Sequence, residues 1–110
     1  MIFDRLESLG LIQIIWEYRV KRRGTEEFVE HYSGEGLWGA LFQKDQAYHG
    51  TDLMCDIEDK TRYLTIDTWD KIESYTQFKK QFAKEYEALD RKCEEITDSE
   101  RCVGVFELVE

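Results

Sequence analysis

Two carboxylates stand inside otherwise apolar, β-favouring runs of this chain: Glu17 within LIQIIWEYRV (11–20) and Asp67 within RYLTIDTW (62–69). Carrying a carboxylate into a core is costly unless it is paired or hydrogen-bonded, so each position asks for a reason. One reason is chemical. A partly desolvated carboxylate has a raised pKa and can take a proton from an activated aromatic or an enol. The other is structural: Glu17 pairs with Arg19 or Arg62, and Asp67 bonds to backbone where strand gives way to helix. Residue types alone leave both open.

The two imidazoles are equally ambiguous. His31, beside Tyr32, reads as a surface residue or as a pocket acid or base. His49, opening a strand ahead of Gly50, either reaches a pocket mouth or ends in solvent. Neither has a second histidine at metal-ligand spacing, so no metal is indicated. Cys55, Cys93 and Cys102 show no CxxC spacing and read as reduced thiols. Gly34, Gly36 and Gly39 do not follow a strand as a phosphate-binding loop requires.

Composition narrows the partners. A chain of 110 residues forms one domain with one core. A formal charge of −9 disfavours nucleic acid and anionic lipid. The only basic cluster, Lys21-Arg22-Arg23, lies between a strand and a helix and reads as a solvated turn. Residues 1–10 read as a short helical arm or tail and carry no apolar run of signal or membrane-span length, so a cytoplasmic location is expected.

The candidate residues must be positioned by a small set of elements. Leu11–Val20 alternates as a strand. Thr25 opens a helix carrying Glu26 and Glu27 in its first turn, and Phe28, Val29 and Tyr32 give it a buried side. Ser33–Gly36 breaks that helix, and Leu37, Trp38, Leu41 and Phe42 mark a short apolar insert that reads as a lid or flap. Tyr48–Ile57, which Gly50 either weakens or marks with a bulge, and Arg62–Trp69 form a hairpin. One long helix is expected over Ile72–Ile96, with Asp70 as N-cap and Glu73 completing a capping box. Its face of Ile72, Tyr75, Phe78, Phe82, Tyr86, Leu89, Cys93 and Ile96 is apolar and needs a sheet to lie on. Arg101–Val109 closes the chain as a fourth strand after a Thr97–Ser99 loop. The domain therefore spans residues 11–110 as an α+β, ferredoxin-like βαββαβ fold with a four-stranded antiparallel sheet. Helices cover one face of such a sheet; the other, bearing apolar side chains, predicts a homodimer packed face to face.

With that order in place, WEYRV (16–20), GTEEFVEHY (24–32), YHGTDL (48–53) and YLTIDTWDKIESYTQF (63–78) resemble the antibiotic biosynthesis monooxygenase family of the dimeric α+β barrel superfamily. The most specific part is Asp67-Thr68-Trp69 running directly into a helix. The resemblance implies a small cofactor-free monooxygenase acting on an aromatic or quinol-type molecule. Haem-degrading relatives carry a histidine on the long helix; this sequence has none there, which sets haem chemistry aside. Aligned with the family, Glu17 and Trp69 face the helices together. Glu17 and Asp67 then become candidate catalytic bases in a pocket whose substrate-binding residues are Trp69, Trp38, Phe42, Tyr63, His31 and His49. The alternative is a non-catalytic small-molecule-binding or structural dimer of the same fold.

Overall fold

The computed structural model describes residues 10–109. The arm expected over 1–10 lies, Gly10 apart, outside these. β1 (Ile12–Val20) is central and pairs antiparallel with β3 (Arg62–Trp69) on one side and β4 (Thr97–Glu107) on the other, while β2 (Tyr48–Cys55) flanks β3. The order β2-β3-β1-β4, helices on one face, is the ferredoxin-like arrangement expected from the sequence.

Register decides which side chains meet. Ile12 lies opposite Trp69, Ile14 opposite Asp67, Trp16 opposite Thr65 and Tyr18 opposite Tyr63. Side chains alternate with period two, so these eight share a face. Ile14, Tyr18, Tyr63, Thr65, Asp67 and Trp69 are all buried there beneath the helices. Gln13, Ile15, Glu17 and Arg19 therefore point to the opposite face, with Arg62, Leu64, Ile66 and Thr68. At Gly50, whose φ of +123° suits glycine, the β2 register slips. The slip places Tyr48 and Thr51, three residues apart, on the inner face together.

α1 (Thr25–Tyr32) follows a 3-10 turn at Arg22–Gly24, which exposes the basic cluster as expected. α2 (Leu37–Phe42) is no lid. Trp38, Leu41 and Phe42 are buried, and glycines bring the backbone to contact distance: a Cβ at Gly36 would lie 2.5 Å from the Glu30 carbonyl oxygen, and one at Gly39 2.3 Å from that of Gly34. The insert is packed as a fixed wall.

The long helix is two, α3 (Ile72–Gln81) and α4 (Ala83–Glu94), broken at Phe82 with φ −110° and ψ 33°. The break brings the Tyr75 and Tyr86 hydroxyls within 3.2 Å. In a straight helix residues 75 and 86 would rise about 16 Å apart with both side chains leaning the same way. Asp70 does not cap α3; the extended Lys71 precedes the helix, and Asp70 is hydrogen-bonded to His49 instead. β4 starts at Thr97 rather than Arg101, because Thr97 and Ser99 pair with Val20 and Arg19 across a register shift.

The core under the sheet is aromatic. Trp69, Phe28 and Phe78 are fully buried, and the Phe42 ring lies 5.6 Å from Trp69 and 5.5 Å from Phe78 in edge-on contacts. The outer face carries a charged cluster amid apolar neighbours. Glu17 accepts hydrogen bonds from Arg62 Nε at 2.5 Å and from Arg101 Nη2 at 2.5 Å, and Arg62 also reaches Asp56 at 3.1 Å. Ile15, Leu64 and Ile66 are partly exposed beside it, and Met54 and Phe106 about half exposed.

Candidate active site

A cavity of about 210 Å3 opens between the inner face of the sheet and the helices. Its floor is built by the strands: Trp16 and Tyr18 from β1, Thr51 from β2, Thr65 and Asp67 from β3. Tyr32 from α1 and Trp38 and Phe42 from α2 form a wall; Tyr75 and Tyr86 roof it from α3 and α4. Lys79, Asp90 and Glu100 stand at the rim, where Lys79 and Glu100 are exposed.

Asp67 is the carboxylate of the cavity floor. It is 7% exposed, and burial raises its pKa to about 6, opposed by a hydrogen bond from Thr51 Oγ1 to Oδ1 at 2.6 Å. Thr51 Oγ1 lies 2.5 Å from the Tyr48 hydroxyl. Since the Thr51 proton is given to Asp67, the Tyr48 hydroxyl donates in turn, making a chain Tyr48 to Thr51 to Asp67. Oδ2 of Asp67 receives no hydrogen bond among the described residues. The carboxylate is thus oriented through one oxygen only.

The tyrosine hydroxyls of the lining keep their protons. Burial pushes the Tyr18, Tyr32 and Tyr75 hydroxyls well up, and raises that of Tyr86. They act at neutral pH as hydrogen-bonding phenols. The Thr65 hydroxyl, 3% exposed, makes no hydrogen bond of full geometry. At the rim, partial desolvation of the otherwise exposed Glu100 first and the charges of Asp90 and Glu94 second raise its pKa.

The candidates named from the sequence separate here. Asp67, Trp38 and Phe42 line the cavity. Glu17 does not: it lies on the opposite face, where Arg62 foremost and Arg101 hold its carboxyl at about 2. The pairing alternative holds for Glu17, with Arg62 as partner. Asp67, by contrast, bonds to the Thr51 side chain and not to backbone at the helix start. Trp69 and Tyr63 share the inner face but are packed into the core beside the cavity. His31 is neither at the surface nor in the cavity; it is buried on α1 with Nε2 3.3 Å from Glu27 Oε2. His49 is exposed at Asp70.

Sequence reasoning did not single out Thr51, Thr65, Tyr18 or Tyr32, nor the rim residues Lys79, Asp90 and Glu100. Thr65 shows the inward parity of Asp67 two residues on, a signal present in RYLTIDTW. Tyr75 and Tyr86 were indistinguishable from core residues at helical spacing.

No protein-family model matches the chain, and no curated protein matches it. Among solved structures, a protein from Bordetella bronchiseptica named "putative antibiotic biosynthesis monooxygenase" superposes with a TM-score of 0.74 at 19% identity, over 92% of this chain and 99% of that one. A conserved protein from Methanosarcina mazei Go1 gives 0.65 at 15%, over 93% and 96%. SnoaB, a cofactor-independent oxygenase from Streptomyces nogalater, gives 0.63 at 12%, over 92% and 95%. At these identities the likeness concerns architecture, and the resemblance read from the segments ending in Asp67-Thr68-Trp69 is borne out at that level: the chain has the fold of the antibiotic biosynthesis monooxygenase-like proteins.

Proposed function

We propose that the protein is a small oxygenase of the cofactor-free kind, with Asp67 as general base toward a single-ring phenol or enol. The observation that carries this is a carboxylate of pKa about 6, half satisfied by Thr51, facing an aromatic cavity. Such a group is mostly ionised at neutral pH, yet is a stronger base than a solvent-exposed aspartate. The fold shared with SnoaB supports the same chemistry.

The size of the space selects the substrate. A cavity of about 150 Å3 holds a benzene, whereas drug-sized ligands need about 300 Å3 or more. At about 210 Å3 this one suits one substituted ring. Asp67 takes the phenolic or enolic proton. The electron-rich anion passes one electron to O2, and the radical pair recombines into a C–O bond. The peroxide so formed recovers the proton from Asp67, and loss of water from the C(H)–OOH group leaves a carbonyl. Over the cycle a ring C–H and its hydroxyl proton are exchanged for a second carbonyl and one water. The substrate supplies every electron.

Oxygen uptake tests this, with a panel of single-ring phenols and quinols. Asp67→Asn is expected to lower the rate by about 10²-fold or more while retaining ligand binding. Uptake undiminished in that variant, or no uptake from any member of the panel, overturns the reading. The cavity's modest size favours one alternative, a binding protein that holds a ring without turning it over; quenching of Trp fluorescence without oxygen uptake identifies it.

We also infer a homodimer formed through the outer face of the sheet, because Ile15, Leu64, Ile66, Met54 and Phe106 lie open there around the Glu17 cluster. No helix among the described residues is long and apolar enough to cross a membrane.

A further inference from the structure

The cavity has a charge character that oxygenation does not require. Its lining and rim bring three carboxylates, Asp67, Asp90 and Glu100, to bear against a single ammonium, Lys79. The rest of the lining is largely aromatic, and aromatic faces attract cations. The Lys79 ammonium already reports this field. It sits 5.4 Å from the centre of the Tyr75 ring and 5.1 Å from that of Tyr86, with no carboxylate within ion-pair distance among the described residues. The protein's own cation thus marks the rim as a place where an ammonium is held by ring faces. A second observation points inward: the Thr65 hydroxyl is buried and lines the cavity, with the Tyr18 hydroxyl beside it and no hydrogen bond of full geometry to it.

We propose that the ligand of this cavity carries a protonated amine: an aromatic ring bearing a short ammonium tail, with the ring enclosed near Asp67 and the ammonium at the rim between Asp90 and Glu100, displacing Lys79 from the faces of Tyr75 and Tyr86. This rests on the cavity being a ligand site, as in the proposed function, and adds the substrate class. A neutral phenol would make no use of the two rim carboxylates. A carboxylated ring would be repelled by them, and Lys79 alone would be its anchor. The charge of −9 on the whole chain draws cations to the surface and acts in the same direction.

Tyramine, para-ethylphenol and para-hydroxyphenylpropanoate present a similar phenol ring with a cationic, neutral and anionic tail. Their binding is measured on the whole protein under nitrogen, so that no turnover occurs, by fluorescence of Trp16 and Trp38 in the lining. Tyramine is expected to bind roughly tenfold more tightly than para-ethylphenol, with the propanoate weakest, and the preference should shrink as salt is raised. Asp90→Asn with Glu100→Gln should abolish the preference for tyramine over para-ethylphenol, and an unchanged circular-dichroism spectrum and melting transition show that the variant is folded. Lys79→Met, which keeps the aliphatic stem and removes the competing charge, should tighten tyramine several-fold.

Equal or tighter binding of para-ethylphenol overturns the proposal. So does tightest binding of the propanoate, or a preference that survives in the double variant. Oxygen uptake separates the two readings. Uptake from neutral phenols without an ammonium preference defeats this inference and spares the oxygenase; the preference without uptake defeats the oxygenase and spares this inference.

Discussion

Thr51 and Asp67 face each other in register across β2 and β3, and the threonine hydroxyl donates a 2.6 Å hydrogen bond to one carboxylate oxygen of the aspartate. That bond favours the ionised carboxylate, while burial favours the protonated one and prevails. The base strength of Asp67 is therefore a balance that a single methyl-for-hydroxyl exchange can shift.

Thr51→Val removes the donor at constant shape. The Asp67 pKa should rise from about 6. The acid limb of the pH–rate profile then moves up by roughly one unit, the equivalent of one ordinary hydrogen bond. Activity falls at pH 6 and is nearly unchanged at pH 8. A limb that does not move would show that Asp67 is not the titrating group.

Asp67 also leaves a mark on stability. Its folded pKa of about 6 exceeds the unfolded value of 3.8, so between these pH values the native state binds the extra proton and stability falls as pH rises. The ionised group costs about 3 kcal/mol above pH 6. Asp67→Asn should flatten the dependence of the melting temperature on pH between about 4 and 6.

Glu17 should do the reverse. Its pKa is depressed to about 2 by Arg62 and Arg101, so its contribution is present above 4.5 and is lost as pH falls toward 2. Glu17→Gln should lower the melting temperature at pH 7, with the difference from the native chain vanishing near pH 2. Cavity binding of a phenol should not change, because the side chain is on the other face.

The outer face offers a test of assembly. Leu64→Asp places a charge among Ile15, Ile66 and Met54, beside the Glu17–Arg62–Arg101 cluster. If this face forms the homodimer, light scattering should show a dimer for the native chain and a monomer for the variant, which should bind ligand with its cavity intact. A native chain of monomer mass refutes the dimer.

The wall formed by α2 can be probed from behind. A Cβ at Gly39 would meet the Gly34 carbonyl oxygen at 2.3 Å, and backbone cannot yield as a side chain tip does. Gly39→Ala should cost about 1–3 kcal/mol and loosen phenol binding, since Trp38 and Phe42 move with that turn. A melting temperature unchanged by this substitution would mean the insert is free to shift, as a lid is.

How much of this was legible in the chain depends on which physical signal carried it. The element order was, because runs of period two and of three to four alternate clearly from Ile12 to Cys93 and glycines mark the breaks. The face of β1 was not. Ile12, Ile14, Trp16 and Tyr18 make one apolar face, but Ile15 lies on the other, so alternation leaves parity undecided. Only the register with β3, set by Ile14 opposite Asp67, sends Glu17 outward. Its partner Arg101 comes from β4, a contact across 84 positions that local pattern cannot reveal. The interruption at Phe82 was equally silent, since QFAKEY contains neither glycine nor proline and each residue is at home in a helix.

That interruption has a wider consequence. Floor and roof of the cavity answer to different kinds of order: Asp67, Thr65 and Thr51 to strand alignment, Tyr86 and Asp90 to the rotational phase of α4. A residue inserted after Phe82 would turn α4 by about 100° and carry Tyr86 and Asp90 away from the opening, while no side chain of the floor changes identity or place. Relatives of this chain differing by one residue at that junction would then share the Asp67 carboxylate and accept different molecules.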